Sequence, residues 1–241
     1  MKSAKIFCSI FIFIVGSNTI LLAQNNLEEK NYYKWFDKSI GQENTALFNG
    51  ELYTKSYRTQ DKNHNFLLTN DFVTGTVEFD NQKYYDILLK YDIFNDELVA
   101  KLKSSFNSNS NIQLNKAFVE GFTIHNKKFK FINSVTEAVI LKGFYEVAYS
   151  SSMLSLYTKH HKLKANYIID DLIYSKFSKR DKNILLYKNS FYEIKNKKEL
   201  RKIFPNLNRE INTIYKNNKR LKKIDNNAFI KTVIQKIEQH L

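Results

Sequence analysis

Histidine is the residue type here with the widest chemical range, so its spacing is the first test for a metal or acid–base site. The five histidines are His64, His125, His160, His161 and His240. None of them forms the H-E-x-x-H spacing that places two imidazoles on one helix face beside a zinc ion. The adjacent pair would point to opposite faces of a strand, and the lysines around it would repel a cation. The sequence therefore predicts a solvated strand end at this pair and no metal site.

Nucleophiles and phosphate-binding loops are also missing as sequence motifs. There is no G-x-S-x-G elbow, the only cysteine is Cys8, and the Ser150–Ser152 run falls where a turn is expected. The glycines are well separated, so neither a P-loop nor a dinucleotide-binding fingerprint can be built from them. The sequence predicts no catalytic residue and no cofactor.

Paired carboxylates, the usual machinery of glycoside hydrolysis, can be tested on one predicted strand. Asp86 and Asp92 share a strand face but lie six residues apart, which corresponds to about 20 Å along a strand. A glycosidase pair needs a separation of about 5 to 9.5 Å, so these two carboxylates cannot form one. Other pairings depend on the fold. A hydrolase with a noncontiguous site therefore stays open as an alternative.

Basic residues dominate the charge balance, with 38 Lys and Arg against 24 Asp and Glu and a net charge of +14. The chain is rich in Lys, Asn and Ile, which A- and T-rich codons supply, so base composition alone can explain the charge. One cluster is a candidate basic patch, which could contact anionic lipid or polymer or simply be a solvated connection between helices. It consists of Lys216, Lys219, Arg220, Lys222 and Lys223.

The N-terminal 23 residues have the pattern of a signal peptide. Lys2 and Lys5 precede an apolar run over 6–15, and Ala23 is a suitable last residue before cleavage, with Gln24 starting the mature chain. An uncleaved anchor is the alternative. A membrane span takes about 20 mostly apolar residues, a length reached only if four small or polar residues are counted. Cleavage would remove the only cysteine and place the protein outside the cytoplasm, where nucleic acid is not an expected partner.

The rest of the chain divides into three segments by hydrophobic period. Residues 24–45 form a polar lead-in whose aromatic residues are expected to dock on the main domain. Residues 46–195 alternate apolar and polar side chains, most clearly over 72–102, which predicts a three-stranded antiparallel meander. Residues 196–241 carry helical apolar stripes. The predicted class is α+β, mainly β, with an antiparallel meander (a curved sheet, sandwich or open barrel) followed by a C-terminal helical segment that packs on the sheet or on a partner.

Three stretches carry a resemblance to known proteins. They are GTVEFD at 75–80 with KYYDILLKYDIFNDELV at 83–99, GFYEVAY at 143–149, and LYKN at 186–189 with FYEIKNKKEL at 191–200 and FP at 204–205. Together they resemble a group of exported, β-rich proteins of AT-rich Gram-negative bacteria. No activity is assigned to that group, so the resemblance implies architecture and export but transfers no site residue.

These observations predict an exported, non-catalytic module that binds or structurally associates at the cell envelope. Its aromatic-rich surface is the one expected to matter, because amphipathic rings presented on sheet faces beside lysines suit saccharide or protein contact. The candidates are Tyr84, Tyr145, Tyr149 and Tyr157, and for each of them ordinary half-buried strand packing is the favoured alternative. The expected partner is an envelope protein or polymer, with peripheral membrane contact as a further option and no nucleic acid. The helical C-terminus, in place of a β-sorting module, favours the periplasm or the outer-membrane periphery over release.

Overall fold

The computed structural model describes residues 28–54, 56–104, 108–135 and 140–241. The predicted signal peptide, residues 1–23, and its cleavage site between Ala23 and Gln24 lie outside these residues. None of the described helices has both the length and the apolar composition that crossing a bilayer requires.

The described chain is mainly β, as the sequence predicts, with thirteen strands. The strands are β1 (Glu51–Leu52), β2 (Val73–Phe79), β3 (Gln82–Asp92), β4 (Glu97–Lys103), β5 (Asn109–Gln113), β6 (Val119–Ile124), β7 (Lys127–Val135), β8 (Ile140–Ser150), β9 (Leu154–Lys159), β10 (Lys162–Ile169), β11 (Leu172–Lys179), β12 (Lys182–Tyr187) and β13 (Ser190–Glu193). Eleven of them form one sheet in the order β1-β5-β4-β3-β2-β6-β7-β8-β9-β12-β13, and β10 and β11 form a separate pair. Every pairing is antiparallel, which confirms the meander.

The large sheet is rolled but not closed. Tyr91 on β3 and Phe144 on β8 have ring centroids 6.0 Å apart, although three strands lie between them in the sheet. In a flat sheet four strand spacings amount to about 19 Å, so the sheet must curl to bring these rings together. The two ends of the order, β1 and β13, do not pair with each other. Of the three predicted architectures, the curved, open sheet is the observed one.

The N-terminal half of the sheet buries its inner face within this curl. Phe122 and Phe129 stack with centroids 4.6 Å apart, and Tyr91 meets both rings edge-on. Leu47, from a 3-10 turn at Ala46–Phe48, and Leu67 pack against the same group. We call this group the first core.

A bulge in β3 decides which tyrosine joins the first core. Tyr84 is buried and Tyr85 is only half-buried, whereas strict alternation from Ile87 and Leu89 predicts the reverse. Asp86 has a φ of 55°, and the β2–β3 register shifts between Gly75 and Val77. One extra residue in a bulged strand reverses which side chains face inward.

Residues 28–40 form a helix, α1, that meets the sheet through charge. Lys34 and Lys30 place their Nζ atoms 2.5 and 3.5 Å from the Asp86 carboxylate. Tyr32 and Trp35 remain 62% and 63% exposed. The prediction that the aromatic residues of this lead-in dock on the main domain is wrong for these two, because the helix face that meets the sheet carries the lysines and Tyr33. The Tyr33 ring does dock, with its centroid 6.3 Å from that of Tyr85 on β3.

Four tight turns join strands with two residues at positive φ each, the geometry that matches the right-handed twist of a hairpin. They are Asp80–Asn81, His125–Asn126, Asp170–Asp171 and Lys188–Asn189. The alternation pattern predicts breaks at Asn81–Gln82, Asn126–Lys127 and Lys188–Asn189, so it is right for the last turn and one residue late for the first two. It misses the third turn, because it predicts one continuous strand over residues 167–177.

The C-terminal helices are α2 (Lys197–Ile203), α3 (Asn208–Asn217), α4 (Lys219–Ile224) and α5 (Asn226–Glu238). Asn196 caps α2 and Asp225 caps α5 through their side-chain oxygens. Phe229 and Ile234, both fully buried, pack with Leu156 of β9 and Leu185 of β12. We call this group the second core. The helices therefore cover the sheet of their own chain.

Candidate ligand cleft

His160 lies in a buried polar cluster. Three parts of the fold meet there: the large sheet, the base of the β10–β11 hairpin, and α5. Its Nδ1 is 2.9 Å from Asp181 Oδ2 and its Nε2 is 2.6 Å from Glu146 Oε2. Asn227, in the first turn of α5, donates to the Asp181 carboxylate over 2.5 Å. The prediction of a solvated strand end is wrong for this residue, which is 3% exposed, because two carboxylates satisfy both ring nitrogens.

The electrostatics of this cluster favour an ion triad. Burial alone would lower the pKa of His160, but the bonds to Asp181 and Glu146 outweigh it and raise that pKa above 6.5. Burial likewise opposes ionisation of Asp181, but the bond to His160 dominates and brings its pKa to about 2. Because both ring nitrogens already face carboxylates, the imidazole has no free position from which to take a proton from a substrate. Its role in this geometry is to join elements.

A second polar centre surrounds Asp96, in the loop between β3 and β4. Its carboxylate accepts hydrogen bonds from Lys159 Nζ (2.6 Å), Tyr91 Oη (2.6 Å) and Lys116 Nζ (3.0 Å). Burial lowers the pKa of Lys159, which the ion pair with Asp96 partly offsets. The carboxylate is fully used in holding together β3, β9 and the 3-10 turn at Lys116–Phe118. It offers no vacant acid or base.

The predicted tyrosine surface and the predicted basic patch have different outcomes. Tyr84 and Tyr145 are buried, and Tyr149 donates to Glu238 of α5 over 2.5 Å. Tyr157 is half-buried. These rings follow the favoured alternative of buried or half-buried packing and do not form a presented surface. All five side chains of the basic patch are exposed, at the end of α3 and along α4.

The structure shows a different aromatic site, a depression of about 300 Å³ between the segment 53–72 and strands β3 and β5. We call it the ligand cleft. Its walls carry aromatic rings, amide groups and one lysine, a combination suited to stacking and hydrogen bonding with a small polar ligand. The residues that define it are Tyr53, Tyr57, His64, Asn65, Phe66, Asn70, Phe72, Lys90 and Asn111.

Main-chain pairing fixes the two walls of the ligand cleft. Tyr53 N donates to Asn111 O over 2.8 Å, which extends the pairing of β1 with β5. On the other wall, Leu67 N donates to Tyr91 O over 2.9 Å, and Leu67 is anchored in the first core. The buried Asp92 carboxylate accepts the Tyr53 hydroxyl over 2.9 Å. The ring of Tyr53 is thus held without help from a ligand.

Lys90 is the charged group of the ligand cleft. Its Nζ lies 4.1 Å from the centroid of Phe66 and 5.0 Å from that of Phe72. Burial lowers its pKa, and Lys101 nearby lowers it further against the opposing effect of Asp71. In the part of the chain that the structure describes, Lys90 forms no ion pair with a carboxylate. The cleft therefore presents an ammonium group stabilised mainly by two ring faces.

A second lysine adds positive potential behind the cleft wall. Lys162 donates its Nζ to the carbonyls of His64 (2.6 Å) and Phe66 (2.8 Å). Burial lowers the pKa of Lys162 to about 8. The pKa of His64 is also lowered, first by burial and then by Lys162 and Lys90. Asp71 partly opposes the lowering of the Lys90 pKa, and Asp92 partly opposes that of Lys162.

Sequence reasoning did not find this site because no local spacing marks it. Its residues come from the segment 53–72, from β3 and from β5, and the pairing that brings them together is long-range. The signal available was composition, since 53–72 holds four aromatic residues among Asn and Thr without a strand pattern. Long irregular segments of that kind are frequently binding loops.

Comparison with known proteins adds no relative: no protein-family model, no curated protein and no solved structure matches this chain. Within the described residues, no group of three or more His, Cys, Asp or Glu side chains is arranged to hold a metal ion.

Proposed function

We propose that this protein is an exported, non-catalytic binding module of the cell envelope, and that the ligand cleft takes an anionic sugar residue of an envelope polysaccharide. The observation that carries the proposal is Lys90. Its ammonium group sits between two phenyl rings and near another lysine, without a carboxylate partner among the described residues.

The other groups of the cleft favour a sugar over an inorganic anion. Sugars stack their C–H faces on aromatic rings and exchange hydrogen bonds with amides, and the cleft offers Tyr57 and Phe72 for the first and Asn70 and Asn111 for the second. Its volume of about 300 Å³ lies at the small end of ligand sites. One charged monosaccharide unit with its neighbours extending into solvent fits such an open depression.

Calorimetric titration with an oligogalacturonate and with the neutral oligogalactose of equal length tests this proposal. We expect binding of the acidic oligomer, weakening with added salt because the contact is partly ionic. Lys90→Gln should weaken it at least about tenfold, or about 1.4 kcal/mol. Lys231→Gln on α5, which removes the same charge elsewhere, should leave it unchanged.

Two outcomes would contradict the proposal. Equal binding of the neutral and acidic oligomers would show that the charge of Lys90 does not select the ligand. Binding of the acidic oligomer that falls equally in both variants would show that net charge, and not the cleft, is responsible.

The basic patch supports a second candidate function, contact with an anionic membrane surface. None of its five cations forms an ion pair within the described residues, and Ile224 projects from the same helix with 74% of its surface exposed. Cations beside an exposed aliphatic side chain suit a headgroup layer.

Co-sedimentation with phosphatidylglycerol vesicles at low and high salt tests this second candidate. We expect salt-sensitive binding that Lys222→Gln with Lys223→Gln weakens, and that Lys231→Gln with Lys236→Gln on α5 does not. Absence of salt-sensitive binding would exclude it.

A further inference from the structure

The β10–β11 pair, residues 162–179, forms a two-stranded arm outside the eleven-stranded sheet. Its strands are in continuous register from Lys162↔Lys179 to Ile169↔Leu172. The turn residues Asp170 and Asp171 have φ values of 47° and 60°. In such a two-residue hairpin, the residues flanking the turn exchange both main-chain hydrogen bonds.

This geometry determines the direction of every main-chain group along the arm. The N–H and C=O groups of Ile169 and Leu172 point inward, so those of alternate residues point outward. On β11 the outward groups of Ser175 and Phe177 do have partners. Ser175 N donates to Arg58 O over 2.7 Å, and Asn63 bonds both Phe177 N and Phe177 O through its side chain.

The outer edge of β10 has no such cover. Among the described residues, none bonds the outward N–H and C=O groups of Lys164, Asn166 and Ile168. The lysine side chains that could shield this edge contact the segment 53–72 instead. Lys164 Nζ lies 4.9 Å from the ring centroid of Tyr57, and Lys162 Nζ is bonded to two carbonyls. At eight residues, β10 is longer than the edge strands β1 and β13 of the large sheet, which have two and four.

The end of the arm is apolar on both faces. Ile168 and Ile173, directly opposite each other, are 71% and 64% exposed, and Leu172 is 44% exposed. An open, apolar strand edge is a template for adding another strand.

The charges of the arm indicate which strand pairs with this free edge. The turn carries two aspartates, and the base carries Lys162, Lys179 and Arg180. When a second β10 is laid antiparallel with Asn166 opposite its own counterpart, Asp170 falls opposite Lys162 of the other copy, and Ile169 falls opposite its Leu163. The acidic turn of each copy then lies beside the base of the other, which carries Arg180 as well as the already bonded Lys162. Ile169 and Leu163 meet as an apolar pair, and Ile168 falls opposite Lys164.

We propose that two copies of this chain associate through antiparallel pairing of β10 centred on Asn166, giving a twofold-symmetric dimer with a four-stranded joint sheet. The contact is isologous, because each residue of the edge meets its symmetry mate in the other copy. The inference is independent of the ligand cleft, since it rests on the free edge of β10.

Sedimentation velocity over a range of concentrations, with and without one substitution, tests the dimer. Ile168→Pro removes an outward N–H while leaving the internal bonds of the arm, and it should raise the dimer dissociation constant at least about tenfold. Ile168→Val keeps the N–H and the apolar character and should leave that constant unchanged. Circular dichroism checks that both variants fold.

Cysteine cross-linking tests the register. In a chain with Cys8→Ser, Asn166→Cys brings the two new thiols into a pair whose Cα atoms are about 5.5 Å apart, within disulfide range. Oxidation should give a covalent dimer, whereas Lys176→Cys on β11 should not. A chain that sediments as a monomer at all concentrations, or a dimer unaffected by Ile168→Pro, would overturn the proposal.

Discussion

At the scale of single residues, the His160 triad shows how context decides a histidine's role. The sequence shows His160 among lysines, but the fold surrounds it with Glu146 and Asp181. Neither partner can be identified from sequence, because Glu146 lies 14 residues away on β8 and Asp181 lies 21 residues away between β11 and β12. The same holds for Lys90 in the ligand cleft, whose ring partners come from a segment with no strand pattern.

The triad predicts a pH dependence of stability. Folding raises the pKa of His160. Its contribution to the free energy of unfolding is therefore complete below pH 6.5, the ordinary pKa, and is lost as the pH rises through the pKa of the folded state. Folding lowers the pKa values of Glu146 and Asp181. Their contributions to the free energy of unfolding are therefore complete above pH 4.5 and pH 3.8, the ordinary pKa values, and are lost as the pH falls through the pKa values of the folded state. The triad therefore stabilises the fold most between about pH 4.5 and 6.5.

We expect His160→Gln to lower the free energy of unfolding by about 3 kcal/mol near pH 5.5, and by less at pH 8. Urea unfolding of wild type and variant at several pH values measures this difference. His240→Gln, at the exposed C-terminal end, should leave the pH profile unchanged. A difference that is constant from pH 5 to 8 would show that the triad is not an ion cluster.

At the scale of elements, alternation predicted strands well and predicted their ends less well. The meander over 72–102 is confirmed, because β2 pairs with β3 and β3 with β4 in antiparallel order. The bulge at Asp86 and the Asp170–Asp171 turn were missed, since each depends on a backbone conformation that Asp tolerates but does not signal as strongly as Gly. Missing that turn also hid the arm, because a hairpin read as one strand has no free edge.

Gly143 in β8 is a position where adding a side chain should measurably lower stability. It has a φ of 116°, and a Cβ there would overlap Asp96 Oδ2 and lie 2.7 Å from Lys159 Nζ. We expect Gly143→Ala to lower the free energy of unfolding by about 3 kcal/mol or more, because it adds backbone strain and disrupts the Asp96 centre.

Gly41→Ala is the matched control for this substitution. Gly41 also has positive φ, at 83°, but a Cβ there would meet nothing closer than 3.7 Å. It should cost only about 1 kcal/mol of backbone strain. Equal losses in the two variants, measured by urea unfolding, would contradict the role assigned to the Asp96 contact.

At the scale of the whole molecule, the fold class and the helical C-terminus followed from hydrophobic period alone. The curl of the sheet and the docking of the helices did not, because both depend on which strands meet in space. The first and second cores share β8: Phe144 belongs to the first core, and Ala148 packs against the second. Loss of the helices would uncover Leu156 and Leu185 on the adjoining strands.

The shared strand predicts cooperative unfolding. Phe229→Ala removes a fully buried ring from the second core and should lower the free energy of unfolding by about 3 to 5 kcal/mol. Native-state hydrogen exchange should show this loss equally in amides of α5 and of β3. Ile224→Ala, at a position 74% exposed, should change stability by less than about 0.5 kcal/mol. Faster exchange in α5 alone would show that the helices unfold separately.

The direct pairing of Lys159 in β9 with Lys182 in β12 makes the arm an insertion between two strands that are already neighbours. The chain leaves the sheet and returns to it one strand spacing away, and the His160–Asp181 ion pair closes the gap at that point. Residues 161–180 thus form an inserted hairpin whose length does not determine the order of the sheet, while its base holds the segment 53–72 through Lys162, Ser175 and Phe177. Variation in length among relatives of this chain should concentrate there, while His160 and Asp181 stay in place on either side.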